Sequence, residues 1–128
     1  MNIFVKKSDR VEVEVFVYED ADKIVKAVGK DSEVPPGTDA KILKFSFRRP
    51  SYQDSMAILK AAQVQSPAGG VTFDGAAFQD SMMKTLLVGW NLAAVSGEET
   101  PFSLDALNTL TPTIARMVAT SAIDKLQL

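Results

Sequence analysis

Any chemistry in this chain has to come from carboxylates, hydroxyls, lysines and arginines, because its 128 residues include no histidine and no cysteine. That removes the usual general base, the serine–histidine pair, the disulfide framework and the imidazole and thiolate metal ligands. Asp54, Asp74 and Asp80 are the acids on which a carboxylate pair would draw, and each has a plainer reading. Asp54 and Asp74 stand where a helix begins, where a carboxylate satisfies free amide donors of the first turn. Asp80 falls on the polar side of its helix. Ser66-Pro67-Ala68-Gly69-Gly70 has no Lys-Ser/Thr after its glycines and is not a phosphate loop. It reads as a mobile connection and a natural hinge between two helices. No catalytic residue, cofactor or metal is expected.

Binding chemistry has more to work with. Arg48-Arg49-Pro50 puts two guanidinium groups where a strand enters a helix, suited to phosphate or to a partner carboxylate. The plainer alternative is pairing within the domain to Glu12, Glu14 or Asp54, which we expect for one arginine while the other stays open. Trp90, the only tryptophan, ends an apolar stripe; most such residues are core, yet an exposed one is an interface anchor. Met56, Met82, Met83 and Met117 fill gaps in a core or form an adaptable surface for transient clients.

The elements that would position these groups follow from charge and periodicity. Residues 1–50 hold 10 Lys/Arg and 9 Asp/Glu, residues 51–128 only 4 and 7, so the second part must bury its surface in itself or against another protein. The net charge of −2 gives no global attraction to nucleic acid or anionic membrane. No window approaches a membrane span and the first residues lack a signal-peptide run, so a soluble intracellular protein is expected. Residues 11–18 alternate with four valines on one side, and residues 41–47 put Leu43, Phe45 and Phe47 on an inner face; both predict strands. Residues 3–6 are expected to form a partner strand through the turn at residues 7–10. Residues 21–28 carry a weak helical period ending at Gly29 as a C-cap, before Val34-Pro35-Pro36-Gly37 breaks regular structure.

From Pro50 the signals turn helical. Ser51-Tyr52-Gln53-Asp54 is a capping box, followed by one face of Tyr52, Met56, Leu59 and Ala62 or Gln63. A second helix is predicted from Asp74 to about Leu92, with Phe78, Met82, Leu86 and Trp90 at four-residue spacing, widened by Met83 and Leu87. Residues 96–99 read as a surface turn. Phe102, Ser103 and Leu107 form a staple around an N-cap serine, and Thr111-Pro112 opens a last helix carrying Ile114, Met117, Val118, Ser121, Ala122 and Leu126. The expected fold is one α+β domain over residues 1–128. A small amino-terminal antiparallel sheet (1–50) precedes a helical portion of three to four helices (51–128).

The order of these motifs resembles a known family. Phe45-Ser46-Phe47-Arg48-Arg49-Pro50 leads into the capped helix at Ser51. Then come Leu86-Leu87-Val88-Gly89-Trp90-Asn91-Leu92, a Gly-Glu-Glu turn, and the run from Pro101 to Leu110. Over about residues 41–128 this is similar to the tail assembly chaperones of tailed bacteriophages. The resemblance implies a non-virion helper in the host cell cytoplasm. It would coat the helical tape-measure protein and keep it soluble while tail-tube subunits polymerise. The partners implied are the tape-measure protein and the tail tube protein, with self-association as a further expectation and neither nucleic acid nor membrane. The residues expected to touch a partner are Arg48, Arg49, Tyr52, Met56, Met83, Trp90 and Phe102. Two rivals stand beside this reading. The valine-rich residues 4–18 look edge-like and suit a permanent tail or baseplate component. Arg48 and Arg49 suit a small anion-binding regulator.

Overall fold

In the computed structural model, which describes residues 1, 3–92 and 100–128, the chain is α+β. The turn expected at residues 96–99 lies outside the described residues. Strand β1 (Arg10–Glu19) forms because β-branched side chains recur at every second position. Val11, Val13 and Val15 are buried and Val17 packs against the same core. β1 pairs antiparallel with β3 (Lys41–Arg48), where Val13 faces Phe45, Val15 faces Leu43 and Val11 faces Phe47. These six side chains make the floor of the core.

The other side of β1 is taken by β2 (Val25–Val28), so residues 21–28 are not helical. Asp20 is the cause. Its carboxylate accepts the backbone N–H groups of Asp22 and Ile24, at 2.9 and 3.0 Å, and Lys23 takes a left-handed φ of 61°. Such an Asx turn offers the backbone an alternative to helix and closes a hairpin instead. Gly29 accordingly caps no helix. It ends β2 against the last helix, where a Cβ would come within 3.2 Å of the Ser121 hydroxyl. With both flanks of β1 occupied, residues 3–6 find no strand partner there and remain exposed outside the sheet. β1 is therefore an interior strand, contrary to its edge-like sequence.

The sheet order is β2-β1-β3-β6, counting a hairpin, β4 (Gln63–Gln65) and β5 (Val71–Phe73), that stands apart. The fourth strand, β6 (Leu87–Trp90), corrects the expected long helix to Leu92. Helix α2 (Gly75–Leu86) stops at Leu86, and the next four residues add to the free side of β3 with a bulge at Ser46/Phe47. Val88 and Gly89 are poor helix formers, and the open edge of β3 supplies the hydrogen bonds that a helix would otherwise make. Asn91 locks the end, donating its N–H to the Lys44 carbonyl at 3.1 Å and accepting the Lys44 N–H at 2.7 Å.

Among the described residues there are four α-helices with both ends described. Helix α1 (Tyr52–Ala61) starts with the full Ser51/Asp54 capping box, and α2 with Asp74 accepting from Ala76 and Ala77. The short α3 (Leu104–Asn108) is capped by Ser103. Helix α4 (Pro112–Leu126) has Pro112 in its first turn but no side-chain bond from Thr111. It lies across β1 and β2, burying Val118, Ala119, Ala122 and Leu126. The hinge expected at residues 66–70 is instead the turn of the β4–β5 hairpin, closed by Ser66 N–H to Gly70 O at 2.6 Å with Gly69 at φ 90°. The Asp74 N–H to Ala62 carbonyl bond, 2.7 Å, ties the hairpin ends where α1 leaves and α2 begins.

Helix α1 turns its Ile58 side inward. Ile58 is its one buried side chain, with Ala62 just beyond its end, while Tyr52, Met56 and Leu59 face outward. Ile58→Ala is expected to lower stability by about 2–4 kcal/mol, as a core truncation does. Leu59→Ala, one residue on, should shift it by less than about 1 kcal/mol. Urea melts of the two variants check the assignment; equal losses would contradict it.

Candidate functional site

The expected partner-binding residues do not form one site. Arg48, at the end of β3, is committed within the fold: its guanidinium meets Asp54 through Nη1–Oδ2 at 2.5 Å and Nη2–Oδ1 at 3.1 Å. Nη2 also lies 3.4 Å from the Thr85 carbonyl in α2, so one side chain joins β3, α1 and α2. Asp54 further accepts the Ser51 N–H and hydroxyl at 2.9 and 3.0 Å. The Arg48 bonds hold the Asp54 carboxyl below its usual range, at about 2, with the Ser51 bonds helping and partial burial opposing. Arg48 in turn is pushed up by the same bond. An anion site built on both arginines loses one of them. Arg49 is exposed and makes no ion pair among the described residues; its N–H extends the ladder to the Asp9 carbonyl at 3.2 Å.

Met83 is buried, together with Met82 and Leu86, and offers nothing to a partner. Trp90 sits on β6 rather than on a helix. Its indole meets Phe45 edge-on at 6.2 Å and Phe102 edge-on at 5.1 Å, and its N–H donates to the Thr100 carbonyl at 2.8 Å. Trp90 and Phe102 thus close one side of the core as a half-buried aromatic stack, each polar need met internally. Asp74 caps α2, and Asp80 pairs with Lys84 at 3.1 Å on the exposed face of the same helix. Among the described residues no group of acids gathers as metal ligands, and no helix is long and apolar enough to cross a membrane.

What does face outward together is the row Tyr52, Met56 and Leu59, with exposures of 82, 48 and 38%. Spacing of four then three residues places them on one stripe of α1. The hairpin that follows presents Val71 and Phe73, both exposed and two residues apart on one face of β5. Phe73 lies 5.6 Å from Phe78 of α2. The sequence reading missed this hairpin. Its signal was the Val71-Thr72-Phe73 alternation between Gly70 and Asp74, too short to weigh alone.

A second feature lies at the far end of β1. Two adjoining hollows of about 610 and 430 Å³ share Val17 and Val25. Leu43, Trp90 and Ile114 give one an apolar floor; Glu19, Asp20 and Asp39 rim the other.

Asp54 generates a pH prediction. Its folded value lies below the unfolded one, so the stabilisation is present above the unfolded value near 3.8 and is lost as pH falls toward 2. Asp54→Asn should therefore lower stability at neutral pH by about 1–2 kcal/mol, counting the lost cap as well. The gap from wild type should close between pH 4 and 2, read from denaturant midpoints. A gap that persists at pH 2 would assign the loss to packing.

The chain matches no protein-family model, no curated protein and no solved structure.

Proposed function

We propose that this protein is a tail assembly chaperone of a tailed bacteriophage, binding the tape-measure protein and holding it soluble during tail tube assembly. The observation that carries the proposal is the outward row of Tyr52, Met56 and Leu59 on α1. Four-then-three spacing is the seam of a two-helix coiled coil, so α1 is suited to take an amphipathic client helix along its length. A tyrosine and a methionine in that seam favour a client whose sequence varies along its length, because methionine repacks and tyrosine spans apolar and polar contacts. Val71 and Phe73 add further exposed apolar side chains on the hairpin that follows. Holding such a client needs no covalent step; binding alone shifts it away from aggregation by mass action.

A structural tail or baseplate subunit is the second reading. Its original motive, an exposed valine strand, is gone, since β1 lies inside the sheet. The outer edge of β2, which pairs with no other strand among the described residues, is what still favours it.

Co-expression with the tape-measure protein tests the first reading. Wild type is expected to raise the soluble fraction of the client, and Tyr52→Ser/Met56→Ser/Leu59→Ser to weaken binding by about 2–4 kcal/mol while leaving the melting temperature nearly unchanged. A client equally soluble without the chain would overturn the reading. Mass spectrometry of purified particles then separates a helper, absent from them, from a permanent subunit.

A further inference from the structure

The two ends of β1 carry opposite chemistry. At its start, residues 3–7 stand outside the sheet with Ile3 78% and Phe4 84% exposed, followed by Lys6 and Lys7. This arm leaves the body beside Arg10 and Arg49, around a polar hollow of about 360 Å³ that Asp9 also lines. At the other end of β1 lies the double hollow, apolar along Val17, Val25 and Leu43 and acidic along Glu19, Asp20 and Asp39, with Lys41 the one cation among its lining residues. Apolar-then-basic on one side meets apolar-then-acidic on the other.

The arm cannot reach that groove in its own copy. β1 has ten residues, about 30 Å of rise. The near wall of the groove, Val17, stands seven positions and about 23 Å along β1 from Arg10. The turn closed by the Asp9 N–H to the Lys6 carbonyl at 3.0 Å folds residues 6–9 and leaves Phe4 two residues, about 7 Å, of free reach. Complementarity can be satisfied only between copies.

We propose that residues 3–7 of one copy seat in the groove between the ends of β1, β2 and β3 of a second copy, linking copies head to tail. Ile3 and Phe4 supply apolar anchors for the Val17–Val25–Leu43 floor, and Lys6 and Lys7 face Glu19 and Asp39. Val25 belongs both to the groove wall and to β2, whose outer edge pairs with no other strand among the described residues, so the arm also finds backbone partners there. The contact joins two different surfaces, so each added copy presents a fresh arm and a fresh groove, and it repeats along a chain unless the rotation between copies closes it into a ring. This inference does not depend on what the client is.

Light scattering and sedimentation over a dilution series test it. The mass of wild type should rise with concentration above the 13.9 kDa of one chain, and fall with added salt. Phe4→Ser, Lys6→Glu/Lys7→Glu in the arm, and Glu19→Lys/Asp39→Lys in the groove, all at exposed positions, should each weaken association about tenfold or more. A mixture of the two charge-reversed proteins should regain it, because each then offers the other a matching arm and groove. A synthetic peptide of residues 1–9 in excess should return wild type to monomer mass without any mutation. Wild type at monomer mass throughout, association unchanged by arm reversal, or a mixture that stays apart would each overturn the proposal.

Discussion

The Arg48–Asp54 pair decides which side of α1 meets solvent. One buried isoleucine is little to fix a ten-residue helix, since a single apolar contact leaves rotation about the axis loosely held. The bidentate bond adds direction. It sets the first turn of α1 against the end of β3, and the reach of Arg48 toward the Thr85 carbonyl places α2 beside both. Asp54 is simultaneously the capping-box residue, so helix start and helix orientation rest on the same two oxygens. Mostly screened from solvent, at 29 and 18% side-chain exposure, the pair is worth more than a free surface ion pair. Turn α1 so that Tyr52, Met56 and Leu59 point inward, and Asp54 swings away from Arg48 with them.

Much of this frame was legible in the residues, because several signals agreed at each place. In β1 and β3, alternation, β-branching and aromatic content coincide over eight positions or more, and the inner face came out as expected at Leu43, Phe45 and Phe47. The caps at Ser51, Asp74 and Ser103 were equally plain, since each is a local contact needing no distant partner. What was not legible depends on neighbours. β2, β6 and the β4–β5 hairpin are three or four residues long, too short to show a period, and two of them exist because an adjacent strand had an unsatisfied edge. Trp90 matched a helical stripe in spacing yet stands opposite Phe45 in a sheet. On α1 the period grouped Tyr52, Met56 and Leu59 on one face, and that face is turned to solvent. Periodicity names a face; it does not say whether the core or the solvent receives it.

The candidate site was therefore legible only in fragments. Tyr52 and Met56 lie on one exposed stripe, and Leu59 with them. Met83 went inside because α2 packs that side against α4 and the sheet. Trp90 and Phe102 ended in a stack whose polar atom is satisfied by Thr100, leaving no donor for a partner. Trp90 and Ile114 floor one half of the double hollow, while the acidic half is lined by residues 17–41 of the highly charged first part of the chain. Charge counted over fifty residues nearly cancels there, and hides that the acids at 19, 20 and 39 stand at the opposite end of β1 from the cations at 6, 7, 10 and 49.

That separation has a physical consequence of its own. Antiparallel pairing puts the start of β1 beside the end of β3, so Arg10 faces Arg48 at one end while Val17 faces Lys41 near the other. Two arginines across a strand pair repel and would destabilise a bare sheet. Asp54 relieves half of that repulsion by taking Arg48, and Arg10 turns back to the Lys7 and Asp9 carbonyls at 2.7 and 3.1 Å. Arg49, Lys6 and Lys7 keep their charge toward solvent, so the sheet end remains positive despite the negative total. A protein of low net charge with such an uneven distribution attracts by orientation rather than by total charge. Its contacts are selective at low ionic strength and weaken once charges are separated by more than a screening length. The apolar row on α1 carries no such dependence, because burial of methionine and tyrosine is indifferent to salt at ordinary concentrations. The two surfaces therefore answer to different variables, and ionic strength separates a contact made by the ends of the sheet from one made by the face of the helix.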